Sequence, residues 1–240
     1  MAKISEYKKK KAVIFDLDGT LLNTLDDIAT TANLTLADFN LPNYTSNDYK
    51  AWVGKGGRFF LKSCFEDMQK NIDKKFLFDI SKEEFFGRVL TNDYFEKIYN
   101  QFIVHYNDNV VKLTKPYEGI EDLLMQLQSK NISINVLSNK PHLLTIRSIK
   151  EGFPDIKFDY VYGQRETVKA KPDPSTVFEI LEKVNVLPED CTFVGDTDTD
   201  LETAKNAGCS FIGVEWGFRP QEIEKKSQMI SNASELKKYL

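Results

Sequence analysis

Hydrophobic and polar residues follow different patterns along the chain, and the first part combines one strand with many helices. Residues 13–15 form a short apolar run rich in strand-forming side chains, which predicts a buried strand. Residues 25–39 carry apolar side chains at helical spacing, after Thr24 as a candidate N-cap and before Asn40 as an end signal. Residues 43–110 continue mostly in a helical pattern, with no strong strand signal.

The pattern changes near residue 115, after which strands and helices alternate. Apolar runs predict strands at residues 132–137, 160–162, 191–194 and 211–214, with a small strand near 229–230. Helical patterns fill the intervals, including one at about 118–129, one opened by Pro141 and one closed by Gly208. This alternation predicts an α/β fold: a doubly wound, Rossmann-like parallel sheet with helices on both faces.

The helical block lies between the first strand and the second, and this position defines the expected domains. Residues 1–22 and 109–240 are expected to form the α/β core, with residues 23–108 inserted as a small α-helical domain. Phenylalanines recur in the block and are expected to pack between its helices. They are Phe59, Phe60, Phe65, Phe76, Phe78, Phe85 and Phe86.

The composition is that of a soluble globular protein and narrows the possible partners. The 240 residues are 41% hydrophobic and 28% charged, and the formal net charge of -4 provides no positive field for nucleic acid. The sequence has no run of roughly 18 apolar residues, and residues 1–10 lack the apolar stretch of a signal peptide. Cys64, Cys191 and Cys209 lack metal-site spacing and are expected to be reduced thiols. We therefore expect a cytoplasmic protein with no membrane partner.

Polar residues follow three of the predicted strands where each strand ends. Ligands of an open parallel sheet bind beyond the carboxyl ends of its strands, so these side chains should meet in one crevice. They are Asp16 and Asp18 after the first strand, Ser138 and Asn139 after the second, Asp196 and Asp200 after a later strand, and Lys171 on a loop at the same edge. Two carboxylates as close as Asp16 and Asp18 repel each other, and a cation or a shared proton would relieve the repulsion.

This set of side chains suits phosphate chemistry with a hard cation. Carboxylate oxygens bind Mg²⁺, which often bridges to phosphate, while a lysine and backbone amides can neutralise phosphoryl oxygens. No histidine is placed to act as a base, so an aspartate must transfer protons, and an aspartate can also be the nucleophile. Residues 196–200 imitate the start of an EF-hand loop, but Leu201 and Ala207 stand where that loop needs glycine and glutamate, so we exclude an EF-hand.

A basic, glycine-rich stretch interrupts the helical block at residues 54–58. It lacks the GxxxxGK followed by serine or threonine that a P-loop requires. It is either a turn between helices or a loop that grips the substrate, with backbone amides, Lys55 and Arg58 facing an anion.

Four short motifs occur in order and with suitable spacing. They are DxDGT at residues 16–20, Ser138 in Leu137-Ser138-Asn139-Lys140, Lys171-Pro172, and Gly195-Asp196 followed by Asp200. Together they resemble the motifs of the haloacid dehalogenase-like (HAD) hydrolase superfamily, specifically its phosphoglycolate phosphatase-like branch. The resemblance covers nearly the whole chain and implies that the inserted helices are the family's cap, which closes over the site. Residues 54–58 then occupy the region of the cap recognition loop, with Lys55 and Arg58 as substrate contacts.

The resemblance implies a catalytic or metal-binding role for each acidic motif residue. Asp16 would be the nucleophile and bind Mg²⁺ through its other oxygen. Asp18 would protonate the leaving oxygen and then activate the water that hydrolyses the aspartyl phosphate, while its backbone carbonyl would also ligate the metal. Asp196 would bind the metal directly, and Asp200 would orient Lys171 or a metal-bound water.

The remaining matched residues would hold the phosphoryl group and the first loop. Ser138 and the backbone amide of Asn139 would bind the phosphoryl group, and Lys171 would offset the charge on it and on the nucleophile. Thr20 would brace the first loop rather than react.

The sequence therefore favours a Mg²⁺-dependent phosphatase for a small phosphate monoester, either 2-phosphoglycolate-like or a sugar phosphate, acting as a monomer or a homodimer. A dehalogenase is disfavoured because it would not need Asp18. A phosphonate hydrolase would need a suitably placed cap lysine, and since the cap has several lysines it is disfavoured but not excluded. A phosphomutase of the β-phosphoglucomutase type keeps both aspartates and remains an alternative. A receiver-like phospho-aspartate signalling module is the alternative from another class, although receivers usually lack an inserted block.

Overall fold

The structure, a computed structural model, describes residues 10–75, 87 and 91–240, with the backbone alone for residues 72–75. Its strands are β1 (Ala12–Phe15), β2 (Leu22–Asn23), β3 (Lys115–Pro116), β4 (Ser133–Pro141), β5 (Tyr160–Gln164), β6 (Cys191–Gly195), β7 (Ser210–Val214) and β8 (Gln228–Ile230). Its helices are α1 (Leu25–Asp38), α2 (Ser46–Lys50), α3 (Gly57–Lys75), α4 (Asn92–Asn109), α5 (Ile120–Ser129), α6 (His142–Gly152), α7 (Ser175–Val184) and α8 (Asp198–Ala207). Short 3₁₀ turns lie at Pro188–Asp190, Pro220–Glu222 and Ala233–Tyr239.

The strand β1 lies near the middle of a parallel sheet. Six strands are hydrogen-bonded in the order β5-β4-β1-β6-β7-β8, and every neighbouring pair is parallel. Phe15 of β1 pairs with Val136 on one side and Val194 on the other, so the carboxyl ends of β1, β4 and β6 lie together. The predicted α/β fold with a parallel sheet is confirmed.

Helices cover both faces of this sheet, and the side chains of β1 alternate between the two faces. Val13 and Phe15 pack in a hydrophobic cluster with residues of α5 and α6. Ala12 and Ile14 pack in a second cluster with residues of α7 and α8. All four side chains are at most 1% exposed. A strand that is covered on both faces reads as a continuous apolar run, which explains the pattern at residues 13–15.

The helices α1 to α4 form a block around one hydrophobic cluster, which also includes Leu144 and Phe218 of the core. Leu36, Tyr49, Leu61 and Phe102 come from the four helices in turn, and each is at most 1% exposed. Each helix therefore contributes a buried apolar side chain to the same cluster.

The phenylalanines of the block divide into buried and exposed positions. Phe60 and Phe65 belong to the hydrophobic cluster, as expected. Phe59 is 45% exposed, because successive residues of a helix point in different directions and its neighbour Phe60 takes the inward one. The other four phenylalanines named above lie outside the described residues.

Two contacts tie the ends of the block to each other. β2 and β3 pair antiparallel, with Leu22 opposite Pro116. Asp27 of α1 accepts hydrogen bonds from the backbone N–H groups of Leu113 at 2.9 Å and Thr114 at 2.8 Å, and from the Thr114 hydroxyl at 2.7 Å. The sequence pattern did not predict this strand pair, because a two-residue strand is too short to show alternation.

Three local predictions differ from the structure. Thr24 stands at the N-cap position of α1 but makes no capping hydrogen bond, because its backbone lies at φ -103° and ψ 1° rather than in the extended conformation that capping needs. Pro141 ends β4 and precedes α6 instead of opening that helix. Gly57 begins α3, so Arg58 lies on a helix and not in the preceding loop. Among the helices that the structure describes, none combines the length and the apolar character needed to cross a membrane.

Candidate active site

The loop after β1 carries the first two aspartates at the carboxyl edge of the sheet. The carbonyl oxygen of Leu17 accepts hydrogen bonds from the N–H groups of Leu21 and Leu22, both at 3.0 Å, which closes a tight turn around Asp18. Gly19 takes a left-handed φ of 91°, and a Cβ atom there would lie 2.6 Å from Asp196 Oδ2. A glycine is therefore required for both the turn and the close approach of the two acidic loops.

Lys171 joins two of the motif carboxylates. Its ammonium lies 2.6 Å from Asp16 Oδ1 and 2.7 Å from Asp200 Oδ1, and its side chain is 2% exposed. Burial alone would lower the pKa of Lys171, but Asp16 and Asp200 outweigh it and raise the pKa, so the lysine stays charged. Asn139 holds the backbone of Lys171, accepting from its N–H at 2.8 Å and donating to its carbonyl oxygen at 3.2 Å.

Both carboxylate oxygens of Asp196, and both of Asp200, accept hydrogen bonds. Asp196 Oδ2 accepts from the N–H of Phe218 at 2.7 Å, and its Oδ1 accepts from the Thr20 hydroxyl at 3.3 Å. Asp200 Oδ2 accepts from the N–H of Thr197 at 3.1 Å and from its hydroxyl at 2.7 Å. Thr20 thus links the first loop to Asp196, and Asp200 is held between Lys171 and the start of α8.

Three carboxylates converge closely enough to share a cation. Asp16, Asp196 and Asp200 each place one oxygen within 4.8 Å of the others, and all three side chains are buried. Burial and the nearby Asp200 raise the pKa of Asp196 to about 7, and burial also raises the pKa of Asp16 although Lys171 opposes it. These three buried carboxylates face one ammonium, that of Lys171, so their negative charge is not balanced. A set of carboxylate oxygens with excess negative charge fits a hard cation such as Mg²⁺. The side chain of Asp18, the fourth residue predicted at the metal, lies outside this group.

Asp18 is paired instead with Lys140. The Lys140 ammonium lies 2.8 Å from Asp18 Oδ1 and also donates to the hydroxyl of Tyr106, which comes from α4 of the helical block. The N–H of Lys140 donates to Ser138 Oγ at 3.1 Å, so the lysine and the predicted phosphoryl-binding serine share one turn.

A cavity lies between the block and the edge of the sheet. Asp16, Asp18, Ser138, Asn139 and Lys140 line it from the core. Its other wall comes from the helical block and is mostly apolar. The block residues are Ile28, Val53, Gly54, Gly56, Gly57, Phe60, Phe102 and Tyr106. The structure therefore brings Asp16, Asp18, Ser138 and Asn139 into one cavity that the helices cover. Lys171 and Asp196 do not line this cavity but lie beside Asp16.

Lys55 and Arg58 lie beside this cavity rather than in it. Arg58 forms a two-pronged ion pair with Glu96, at 2.5 and 2.9 Å, and its guanidinium lies 4.2 Å from the centre of the Tyr99 ring. The Lys55 ammonium lies over the ring of Phe59. Both line a neighbouring, wider cleft, so the expectation that they contact the substrate remains a prediction.

Backbone atoms of the same turn reach the core instead. The carbonyl oxygen of Gly54 accepts from Asn139 Nδ2 at 3.1 Å. A Cβ atom on Gly56 would lie 3.3 Å from the carbonyl oxygen of Asn139. The glycines of the turn thus allow a close approach to Asn139 that side chains would obstruct.

The motifs, the fold and the site can be compared with known proteins. A family model described as haloacid dehalogenase-like hydrolase matches residues 13–214, which include all four motifs. The chain belongs to the haloacid dehalogenase-like hydrolase family.

Relatives within the HAD family indicate the branch. The chain is 28% identical over 209 residues to the phosphoglycolate phosphatase of Haemophilus influenzae, with 87% of each chain covered. It is 29% identical over 230 residues to the phosphoglycolate phosphatase of Aquifex aeolicus, with 96% of each covered. A crystal structure of a predicted phosphoglycolate phosphatase from Haemophilus somnus matches with a TM-score of 0.83 at 26% identity, covering 96% of this chain and 98% of that one. The resemblance to the phosphoglycolate phosphatase-like branch is confirmed, and with it the prediction of a phosphatase.

Sequence reasoning about this HAD site missed two groups of residues. Lys140 stands directly after Ser138 and Asn139, and this adjacency was the signal that could have placed it in the site. Tyr106 and Phe218 offered no such signal, because they lie in an ordinary helical pattern and in a loop after β7.

Proposed function

We propose that this protein is a Mg²⁺-dependent phosphatase that hydrolyses a small phosphate monoester through an aspartyl-phosphate intermediate. The observation that carries the proposal is the placement of Asp16 beside Lys171, with Asp18 on the same loop and both aspartates lining the covered cavity. The names of the relatives favour a 2-phosphoglycolate-like substrate, and a sugar phosphate is the other candidate.

The first half of the reaction transfers the phosphoryl group to the protein. A carboxylate oxygen of Asp16 attacks phosphorus, the bond from phosphorus to the alcohol oxygen breaks, and Asp18 gives that oxygen its proton. The Lys171 ammonium, 2.6 Å from Asp16, offsets negative charge on the nucleophile and the phosphoryl oxygens. Ser138 and the backbone amide of Asn139 orient the phosphoryl group in the cavity.

The second half releases phosphate and restores both aspartates. Asp18, now a carboxylate, takes a proton from a water molecule as that water attacks the phosphorus of the aspartyl phosphate. The bond between phosphorus and Asp16 breaks, so Asp16 returns as a carboxylate and Asp18 is protonated again.

Asp16 and Asp196 are the side chains that would hold Mg²⁺ directly, together with the backbone carbonyl of Asp18, and Asp200 lies close enough to orient a metal-bound water. The cation would supply the positive charge that three buried carboxylates and a phosphate group require. Because Asp200 is occupied by Lys171 and Thr197, its main part is to orient that lysine.

The helical block acts as a cap in this proposal, with residues 23–108 as a separate small domain. Its apolar residues over the cavity exclude water from the first half of the reaction. The paired β2 and β3 and the Asp27 contacts lie where the block leaves and rejoins the core, which is where a hinge would act.

The test is phosphate release from a panel of small phosphate esters, with Mg²⁺ and with a chelator, for wild type, Asp16→Asn and Asp18→Asn. Metal-dependent turnover that is lost in both variants is expected. A panel without any phosphate release would contradict the proposed function. Transfer between positions of a sugar bisphosphate without net phosphate release would indicate the phosphomutase alternative, and a stable phospho-Asp16 would indicate the receiver-like one.

A further inference from the structure

The proposed reaction leaves one buried charge in the covered cavity without a role. The side chain of Lys140 is 2% exposed, and its ammonium contacts Asp18 and the Tyr106 hydroxyl. Among the described residues that line this cavity, Lys140 is the one lysine or arginine. An anionic group on the leaving alcohol would therefore meet Lys140 rather than Lys55 or Arg58, which line the neighbouring cleft.

Lys140 and Tyr106 each have a hydrogen left to donate. An ammonium has three N–H donors, and Asp18 and Tyr106 occupy two of them in the described structure. The Tyr106 hydroxyl accepts from Lys140 and keeps its own O–H. Burial raises the pKa of Tyr106, so this O–H is retained. The Lys140 ammonium forms an ion pair with the Asp18 carboxylate at 2.8 Å.

We propose that Lys140 and Tyr106 form a carboxylate-binding subsite for the leaving group, which makes the protein select small phosphate monoesters whose alcohol part carries a carboxylate. The inference rests on the proposed phosphatase function and assigns its leaving-group specificity to two residues. Two convergent donors match the two oxygens of a carboxylate, and an ammonium pairs with it more strongly than with a neutral hydroxyl.

The surroundings of the pair strengthen this selection. Val53, Phe60 and Phe102 line the same cavity with apolar surface, so little water is present to screen the Lys140 charge. Substrates with neutral leaving groups would leave the ammonium with Asp18 as its only anion. A carboxylate would supply a second one.

The position of the pair also limits the length of the leaving group. Lys140 contacts Asp18, which protonates the leaving oxygen in the proposed reaction. An anion on Lys140 therefore lies about two hydrogen bonds, or roughly 6 Å, from that oxygen. An alcohol of two or three carbons with a terminal carboxylate spans this distance.

The subsite is shared between the two parts of the molecule. Lys140 lies on β4 of the core and Tyr106 on α4 of the helical block, so both donors are present only when the block covers the site. Recognition of the leaving group and closure over the phosphoryl group would thus depend on the same contact.

The experiment compares kcat and KM for 2-phosphoglycolate and for 2-hydroxyethyl phosphate, a two-carbon ester with a neutral alcohol in place of the carboxylate. The variants are Lys140→Met, Lys140→Arg and Tyr106→Phe, with Lys150→Met as the control because Lys150 is an exposed lysine on α6. Thermal unfolding of each variant checks that it is folded.

Wild type is expected to prefer 2-phosphoglycolate. In Lys140→Met, kcat/KM falls for both esters, since Asp18 loses a partner, but the preference for the carboxylate falls by a further factor of about 10 to 100, mainly through KM. Lys140→Arg retains part of the preference and Tyr106→Phe reduces it less, while Lys150→Met leaves it unchanged.

Equal losses for the two esters in Lys140→Met would overturn the subsite, and so would a wild type without preference. If Lys140→Met does not fold, the two esters are compared in Tyr106→Phe and Lys140→Arg instead. Equal losses for the two esters in these variants would then overturn the subsite. If wild type hydrolyses neither these two esters nor any other ester in the panel, both the proposed function and the subsite are contradicted.

Discussion

Two buried lysines hold carboxylates at this site, and they depend on different parts of the molecule. Lys171 contacts Asp16 and Asp200, and both of these partners follow strands of the core sheet. Lys140 also contacts a core aspartate, Asp18, but its second partner is Tyr106 of the helical block. Each side chain is 2% exposed, so burial does not distinguish them.

In the proposed reaction, this difference in partners separates the two ends of the substrate. The Lys171 end is built from the core alone and would face the nucleophile, which every phosphate ester would meet in the same way. The Lys140 end is completed by the helical block and would face the leaving group, which differs between substrates. Changes at Lys171 should therefore lower activity uniformly, while changes around Lys140 should depend on the ester.

The largest effect is expected from Lys171→Met. Asp16 and Asp200 lose the ammonium that offsets their charge, so kcat should fall by about 100- to 1,000-fold. The loss should be similar for 2-phosphoglycolate and 2-hydroxyethyl phosphate, as measured by phosphate release. Lys169→Met, an exposed lysine on the same loop, is the control. A loss confined to the carboxylate-bearing ester would contradict the division between the two ends.

A smaller effect is expected from Asp27→Asn, which weakens the attachment of the block. The buried carboxylate of Asp27 accepts hydrogen bonds from Leu113 and Thr114. Each hydrogen bond to a charged group contributes about 1.5–3 kcal/mol to the free energy of unfolding. The free energy of unfolding, measured with urea, should fall by about 2 kcal/mol. Asp26→Asn, an exposed neighbour on α1, should change it by less than about 0.5 kcal/mol. Equal changes in the two variants would show that the contact does not stabilise the fold.

We expect Mg²⁺ to stabilise the folded protein through the carboxylates at the Lys171 end of the site. We expect the size of this stabilisation to depend on pH. The pKa of Asp196 in the folded protein is raised to about 7, above its ordinary value of 3.8. Proton uptake by this carboxylate therefore stabilises the metal-free protein fully below 3.8, and the stabilisation is lost as pH rises through 7. Mg²⁺ competes with that proton, so it should raise Tm by a few degrees at pH 8 and by less at pH 5.5. A larger rise at pH 5.5 in a thermal-shift measurement would contradict the assignment.

The smallest effect is expected from Arg58→Gln. Arg58 is about half exposed and is paired with Glu96, and exposed ion pairs contribute about 0.2–1 kcal/mol. If this pair is its main contact, KM for both esters should change less than about threefold, a limit that corresponds to roughly 0.7 kcal/mol. A tenfold rise in KM would instead support the sequence-based prediction that Arg58 contacts the substrate.

Much of the core site was predictable because strand ends in a parallel sheet meet at one edge. Asp16, Ser138 and Asp196 each follow an apolar run, so the pattern of runs already placed them together. The contact between Arg58 and Glu96 was not predictable, since 38 residues separate them and neither stands in a motif.

The sequence by itself determined the order along the chain of the six strands of the parallel sheet, the helical stretch after the first of them and the acidic residues at the strand ends, because local periodicity and residue type are sufficient for these. Only the tertiary structure decided that Lys140 pairs with Asp18 and Tyr106, and that Arg58 turns to Glu96. Such pairs depend on how the block is seated on the sheet edge. That seating results from packing and buried charge between distant residues, which no local pattern records.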